Sequence, residues 1–226
     1  MQAAQGRNQH MVTFYVVRHG ETEANRNGVL QGHLDVPLSG EGLRQARAAG
    51  RALAGVEFDA VYSSDLCRAR ETARAILEGR QCELVLDRRL REINLGSLSG
   101  LTGEEARERF PEYHARLAKD PYYTRRPGGG ESRMDLRERV ASALDDIYEW
   151  NKAKEGACVA IVSHGGVINA ILNIAKAGVD WPGFTVDNCS VTVLERDDDG
   201  WRTVKMNDCR HLEGDVNLPR DVGDHG

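Results

Sequence analysis

The sequence predicts an α/β fold: a three-layer α/β/α sandwich around a mostly parallel central sheet. Two patterns carry this expectation. Short β-branched and apolar runs alternate with segments whose apolar residues recur at helical spacing, as in chains built from repeated strand–helix units. One run, Ala157–Val162 (A-C-V-A-I-V), is apolar without a break, as expected of a strand covered on both faces.

The elements follow in order. Val12–Val17 (V-T-F-Y-V-V) reads as a buried strand. Glu41–Leu53 reads as a helix with Leu43, Ala46, Gly50 and Leu53 on its inner face. Asp59–Tyr62 is a short strand, and Asp65–Leu77 a helix with Leu66, Ala69, Ala73, Ile76 and Leu77 on one face. Glu83–Leu86 is another short strand. Thr102 followed by Glu105 is a capping-box pattern that opens a helix towards Phe110. Ser132 can cap a longer helix through Leu136, Val140, Leu144 and Ile147. The apolar run at 157–162 leads into a helix over Gly166–Ala175. Val191–Leu194 and Trp201–Met206 form a hairpin around Asp197-Asp198-Asp199-Gly200. Residues 1–10 read as an extension or tag, with Met11 as the natural start. Residues 11–212 read as one domain with an insertion at about 97–131, and 213–226 as a loose tail.

Composition narrows the class. The 226 residues carry 30 Lys and Arg against 35 Asp and Glu, a net charge of −5. The hydrophobic share is 40%, and the 24 glycines bring it near the ordinary globular range. Mild acidity argues against a dedicated nucleic-acid binder, which shows a basic footprint. No apolar run approaches membrane-spanning length. The five cysteines (Cys67, Cys82, Cys158, Cys189 and Cys209) are odd in number and lack a C-x-x-C pair, so neither a disulfide framework nor a zinc site is expected. The first ten residues have no apolar signal segment, and a cytoplasmic setting is the expectation.

Chemistry is expected where α/β sheets bind ligands, beyond the C-terminal ends of the strands. The first strand ends in Arg18-His19-Gly20, and the central apolar strand in Ser163-His164-Gly165-Gly166. The strand at 59–62 runs into Ser63-Ser64, with Arg68 in the first turn of the next helix. Glu92 follows the strand at 83–86. Two Arg and two His gathered at one edge make a cationic site, whose natural occupant is a phosphoryl group. A neutral His there is a candidate nucleophile, and the nearby carboxyl a candidate proton donor.

These residues resemble the histidine phosphatase superfamily, in its phosphoglycerate-mutase-like branch. The strings are R-H-G-E-T at 18–22 with Asn25, Q-G-H-L-D-V-P-L-S at 31–39, and S-S-D-L-C-R-A-R-E-T-A at 63–73. L-R-E-I-N-L-G at 90–96, G-G-E-S at 129–132 and V-S-H-G-G-V-I at 162–168 complete the series, which spans residues 12–212. The resemblance implies that His19 becomes a phosphohistidine and that Arg18, Arg68 and His164 hold the phosphoryl oxygens. Asn25 adds a hydrogen bond to the phosphate, while Gln31 and Gly32 lie at the substrate entrance. Glu92 protonates the leaving alkoxide and then activates water. That role needs Glu92 neutral at the first step; burial favours the neutral form, the cationic neighbours the carboxylate.

No metal or other cofactor is implied, since Arg and His supply the positive charge. The implied partner is a small phosphorylated metabolite, with a homodimer possible. The family's true mutases usually carry a longer stretch between the acid and the second His. Here only 72 positions separate Glu92 from His164. The sequence also has Glu21-Thr22-Glu23-Ala24-Asn25, where mutases typically place Ser after the Glu and Trp before the Asn. Both departures favour a phosphatase over a phosphoglycerate mutase, the alternative; a non-catalytic phospholigand binder is the less favoured third reading.

Three other patterns are set aside. Cys82 and Arg88 have the C-x5-R spacing of cysteine-dependent phosphatases, but the residues between them are acidic and strand-like. Gly128-Gly129-Gly130 lacks the G-K-[S/T] ending of a P-loop. His211 near Cys209 has no further ligands to complete a metal site.

Overall fold

Seven residues of alternating burial form the first strand, β1 (Val12–Arg18), and the rest of the sheet is built on it. The structure is a computed structural model that describes residues 10–213 except 180 and 182. The expectations for residues 1–9 and for the tail from 214 onward lie outside the described residues.

After β1 come α1 (Glu23–Arg26), α2 (Gly40–Ala52), β2 (Ala60–Ser63), α3 (Cys67–Leu77) and β3 (Glu83–Leu86). Two 3-10 turns, Arg88–Leu90 and Gly96–Leu98, lead to α4 (Gly103–Arg109) and α5 (Pro111–Lys119). Then follow α6 (Arg133–Asn151), β4 (Ala157–Ser163), α7 (Gly165–Ile174), β5 (Val191–Asp197), β6 (Gly200–Asp208) and α8 (Arg210–Glu213). The six strands form one sheet in the order β3-β2-β4-β1-β5-β6. β3, β2, β4 and β1 are parallel, whereas β5 and β6 run antiparallel.

The layering follows from period-two alternation. Val12, Phe14 and Val16 of β1, with Ala157, Val159 and Ile161 of β4, pack on α6 and α7. Val17, Ala160 and Val162 point the other way, onto Ala69, Ala73 and Ile76 of α3. β4 is therefore covered on both faces, as its unbroken apolar run predicts, and the sandwich has three layers.

The capping signals hold in detail. Thr102 and Glu105 exchange side-chain-to-backbone hydrogen bonds at the start of α4, and Ser132 and Asp135 do so at the start of α6. The hairpin closes at Asp197–Gly200, with strands longer than the sequence pattern predicts.

One helix face differs from expectation. The inner face of α2 is Gly42, Ala46 and Ala49, with Leu53 just beyond, and Leu43 is 40% exposed. The reason is steric. A Cβ on Gly42 would lie 2.0 Å from the Glu21 carbonyl oxygen, and one on Gly20 2.4 Å from the Gly42 carbonyl oxygen. The loop after β1 thus sits directly on the backbone of α2, and only glycine admits that approach. Gly20 does this without a positive φ, so close contact and not a left-handed turn explains it. α5, which the sequence reading leaves inside an undivided insertion, starts with Pro111 in its first turn and buries Tyr113 against Leu98 and Ala106.

Gly42→Ala should therefore lower unfolding free energy by about 1–3 kcal/mol through overpacking. Gly40→Ala, in the same helix with open space around its Cα, should be neutral or slightly stabilising. Urea unfolding of both variants checks this, and an equal effect of the two refutes the close-approach argument.

Candidate active site

The sheet register brings the two histidines together. Arg18 pairs with Ser163 at the C-terminal ends of the adjacent parallel strands β1 and β4. His19 and His164 therefore leave the sheet side by side, with ring centroids 5.0 Å apart. The His19 amide donates to the Ser163 carbonyl at 2.9 Å, which fixes the turn of the chain.

His19 is 3% exposed. Its Nδ1 lies 2.7 Å from the Gly20 carbonyl oxygen. A carbonyl only accepts, so Nδ1 carries the proton and Nε2 keeps its lone pair. Burial, and then the charges of Arg68 and Arg18, hold His19 well below the ordinary imidazole pKa. His164 is fully buried and likewise held low, by burial and then by Arg68, His19 and Arg18. Its Nε2 is 2.9 Å from Ser64 Oγ, and its Nδ1 is buried without a partner. Ser64 stands at the end of β2, which borders β4 on the other side.

Arg68 is 1% exposed, in the first turn of α3. Its Nη1 and Nη2 donate to the Leu34 and Gly32 carbonyls at 2.8 and 2.9 Å, and its Nε is buried without a partner. Burial pushes Arg68 down to about 10, still protonated at neutral pH. Arg18 Nη1 donates to the Val186 carbonyl, and Arg18 Nε is also buried without a partner. Both arginines are thus held by neutral carbonyls, so their charge stays available for an anion.

Glu92 reaches the same place by a longer route. The Gly166 amide, at the start of α7, donates to Oε2 at 3.1 Å, and the Ile93 amide donates to Oε1 at 2.8 Å. A Cβ on Gly166 would lie 2.3 Å from Oε1, so a side chain there would push the Glu92 carboxylate aside. The Glu92 backbone is clamped as well. Arg139 of α6 donates to the carbonyls of Arg89, Arg91 and Glu92, and His33 Nε2 donates to the Glu92 carbonyl at 2.7 Å. Arg139 is itself held by a bidentate pair with Glu131, at 2.7 and 2.9 Å.

The other expected residues are placed differently from one another. Asn25 completes the capping box of α1: its Oδ1 accepts from the Thr22 amide and hydroxyl, so Nδ2 is the donor it can still offer. Gly32 meets the cluster through its carbonyl on Arg68. Gln31 is 8% exposed, and its Oε1 is buried without a partner. Ser64, Arg139, Glu131, His33 and Asn188, whose Nδ2 donates to the His19 carbonyl at 2.9 Å, carry no role in the sequence reading. His33, Ser64 and Glu131 lie inside the strings at 31–39, 63–73 and 129–132, whereas Arg139 and Asn188 lie in none of them.

Cys82 is half-buried before edge strand β3, and Arg88 projects into solvent beside Asp65. All five thiols are unpaired. Among the described residues, no three His, Cys, Asp or Glu side chains gather as a metal-binding group, and no helix is long and apolar enough to cross a membrane.

This arrangement is that of an enzyme handling a phosphoryl group, and comparison with known proteins identifies the class. Residues 14–209 match the family described as Histidine phosphatase superfamily (branch 1), and the chain belongs to that family. It is 39% identical to phosphoglycerate mutase-like protein 4 of Arabidopsis thaliana over 88% of this chain and 86% of that one. It is 38% identical to the metal-independent phosphoserine phosphatase of the same plant, over 87% of this chain and 82% of that one. Among solved structures it resembles Bacillus stearothermophilus YhfR, with a TM-score of 0.80 and 33% identity, over 89% of this chain and 99% of that one.

Two outcomes follow from the geometry. Gly166→Ala should displace the Glu92 carboxylate and cut turnover on poor leaving groups at least tenfold while leaving the protein folded, as read by steady-state kinetics and circular dichroism. The depressed pKa of His19 and His164 also gives a signed pH dependence. The unfolded chain takes up protons near pH 6.5 that the folded chain refuses, so stability is full above that pH. It falls below it by up to about 1.4 kcal/mol per pH unit per imidazole. Urea unfolding between pH 8 and 5 should show a shallower fall in His164→Asn than in the wild type.

Proposed function

We propose that this chain is a metal-independent phosphatase that hydrolyses a small phosphomonoester through a phosphohistidine on His19. One observation carries the reading. Arg18 Nε, Arg68 Nε and His164 Nδ1 are three buried, unpartnered nitrogens beside the free Nε2 of a neutral His19. Unpaired buried donors are costly, and a tetrahedral oxyanion meets all three at once.

The chemistry then follows. His19 Nε2 attacks phosphorus, and the bond to the ester oxygen breaks. Arg18, Arg68 and His164 spread the charge on the three remaining oxygens, which is mainly electrostatic work. The Ser64 hydroxyl donates a hydrogen bond to the lone pair of His164 Nε2, which keeps the single ring proton on Nδ1, towards the ligand. Glu92 gives its proton to the departing alkoxide. In the second half, Glu92 takes a proton from water, the water oxygen attacks phosphorus, and the N–P bond breaks to release inorganic phosphate. Asn25 Nδ2 adds a donor to the phosphoryl group, and Gln31 borders the leaving group.

Hydrolysis is favoured over isomerisation by the short stretch between Glu92 and His164. It holds one 3-10 turn, α4, α5, α6 and β4 before the second His, a shorter span than the family's mutases usually carry. The similarity to a metal-independent phosphoserine phosphatase supports the same reading.

The protein should hydrolyse an aryl phosphate in EDTA and form an acid-labile phosphoprotein on rapid quench. His19→Ala should abolish the label. Glu92→Gln should slow alkyl phosphates far more than aryl phosphates, because only poor leaving groups need the proton. Efficient 3-phosphoglycerate isomerisation with little phosphate release would assign the mutase reaction instead.

A further inference from the structure

The turn that holds Arg68 also touches the chain at Glu92. Gln31, Gly32, His33 and Leu34 form a turn closed by the Leu34 amide on the Gln31 carbonyl at 2.9 Å. Gly32, at its first central position, has a φ of +52°, a conformation that favours glycine. The carbonyls of Gly32 and Leu34, on either side of His33, accept from Nη2 and Nη1 of Arg68 at 2.9 and 2.8 Å. Both terminal nitrogens of the guanidinium are fixed by this one turn, which sets the direction of the unpartnered Nε. Asp35, next along the chain, accepts from the Cys67 amide at 2.6 Å and ties the turn to the start of α3.

His33 reaches the other way. Its half-buried ring donates from Nε2 to the Glu92 carbonyl at 2.7 Å. That carbonyl also accepts from Arg139 Nη2 at 2.9 Å, so both its lone pairs are used. The two stretches of chain are in direct contact here, since a Cβ on Gly32 would lie 3.0 Å from Leu95 Cβ. Just before the turn, the Leu30 amide donates to the Leu101 carbonyl, and the Leu30 carbonyl accepts from the Gly100 amide. Val29 forms a β-bridge with Thr102.

The peptide unit between Glu92 and Ile93 links these contacts to the carboxyl. A trans peptide is planar and points its C=O and N–H in opposite directions. Here the C=O is held by His33 and Arg139, and the N–H donates to Glu92 Oε1 at 2.8 Å. Rotation of this plane would swing the N–H and carry the carboxyl with it. Arg139 is anchored in α6 and on Glu131. His33 is anchored on the turn that grips Arg68. Its ring therefore ties the orientation of the Glu92 peptide to the position of Arg68.

We propose that His33 is a positioning residue for proton transfer: through the Glu92 peptide it holds the carboxyl in register with the arginine that grips the phosphoryl group. This rests on the reading of His19, Arg68 and Glu92 as a phosphomonoesterase centre. A general acid must stay within hydrogen-bond reach of the departing oxygen, and a displacement of about 1 Å is enough to slow the step severely. His33 touches neither the phosphoryl group nor the leaving group in this role; it acts through Glu92.

The test is the leaving-group dependence of kcat/KM for the full chain on 4-nitrophenyl, phenyl and phenethyl phosphate. His33→Ala should lower the rate on phenethyl phosphate by about tenfold or more. On 4-nitrophenyl phosphate, whose leaving group needs no proton, it should stay within about threefold of the wild type. His33→Gln, which offers an amide N–H in place of Nε2–H, should restore most of the loss. On phenyl phosphate, His33→Ala should cost less in a Glu92→Gln background than in the wild type, because its effect runs through that carboxyl. Equal slowing on all three esters, no rescue by Gln, or the same loss in both backgrounds overturns the proposal. If His33→Ala fails to fold by circular dichroism, His33→Leu against His33→Gln carries the test, and the same leaving-group dependence in both overturns it. Wild-type hydrolysis with an unchanged dependence in the His33 variants refutes the role of His33 alone. A wild type that neither hydrolyses 4-nitrophenyl phosphate nor forms an acid-labile phosphoprotein refutes the phosphatase centre as well.

Discussion

The parallel pairing of β1 with β4 is the constraint on which the rest depends. It sets Arg18 against Ser163, and so makes His19 and His164 neighbours although they are far apart in the sequence. A one-residue slip would send every side chain of β1 to the opposite face. That slip would move Val12, Phe14 and Val16 out of the larger core and pull the two imidazoles apart. Core burial and site geometry are thus enforced by the same register. β2, on the other side of β4, adds Ser64 to His164 by the same logic.

The electrostatics of the site depend on what its cations do not touch. Elsewhere arginines meet carboxylates, as Arg91 meets Asp65 and Arg89 meets Asp87 and Asp146. Arg18 and Arg68 instead donate to backbone carbonyls. A carbonyl orients a guanidinium without neutralising it, so the field that adds to burial in keeping both imidazoles neutral is preserved. A carboxylate in the same place would cancel that field and lessen the pull on a phosphoryl oxygen. A chain of net charge −5 can therefore hold a strongly cationic pocket, because its acidic residues are spent elsewhere.

Much of this was legible in the sequence. The strands, the capping box at Thr102, the cap at Ser132, and the placement of His19 and His164 at strand ends and of Arg68 in a first helical turn follow from local patterns. The face of α2 did not, because hydrophobicity favoured Leu43, whereas the loop after β1 needed a bare backbone at Gly42. The partners that hold the site were also hidden. Arg139 lies 47 residues from Glu92, and Asn188 lies 169 from His19. Contacts at such separation leave no periodic trace, and an Arg on an amphipathic helix reads as a solvated side chain. Gln31 and Gly32 were legible as part of a string, but the carbonyl of Gly32 on Arg68 is a backbone contribution that no side-chain pattern encodes.

The site also divides into two parts with different mechanical origins. The end proposed to hold the phosphoryl group is made by strand ends and first helical turns, which the sheet holds rigidly. The end proposed to face the leaving group comes from the stretch between β3 and α6, whose own small cluster of Leu98, Ala106 and Tyr113 is separate from the main core. Residues 126–131 join the two. The Glu131 carbonyl holds Arg126, and the Glu131 carboxylate holds Arg139, which clamps the backbone of Glu92. Changes in α4 and α5 can therefore reshape what surrounds the leaving group without moving His19, Arg18 or Arg68. A change at Glu131 cannot, because it would loosen Glu92 and Arg126 together. On this view the segment is free to vary in substrate choice everywhere except at the joint through which it reaches Glu92.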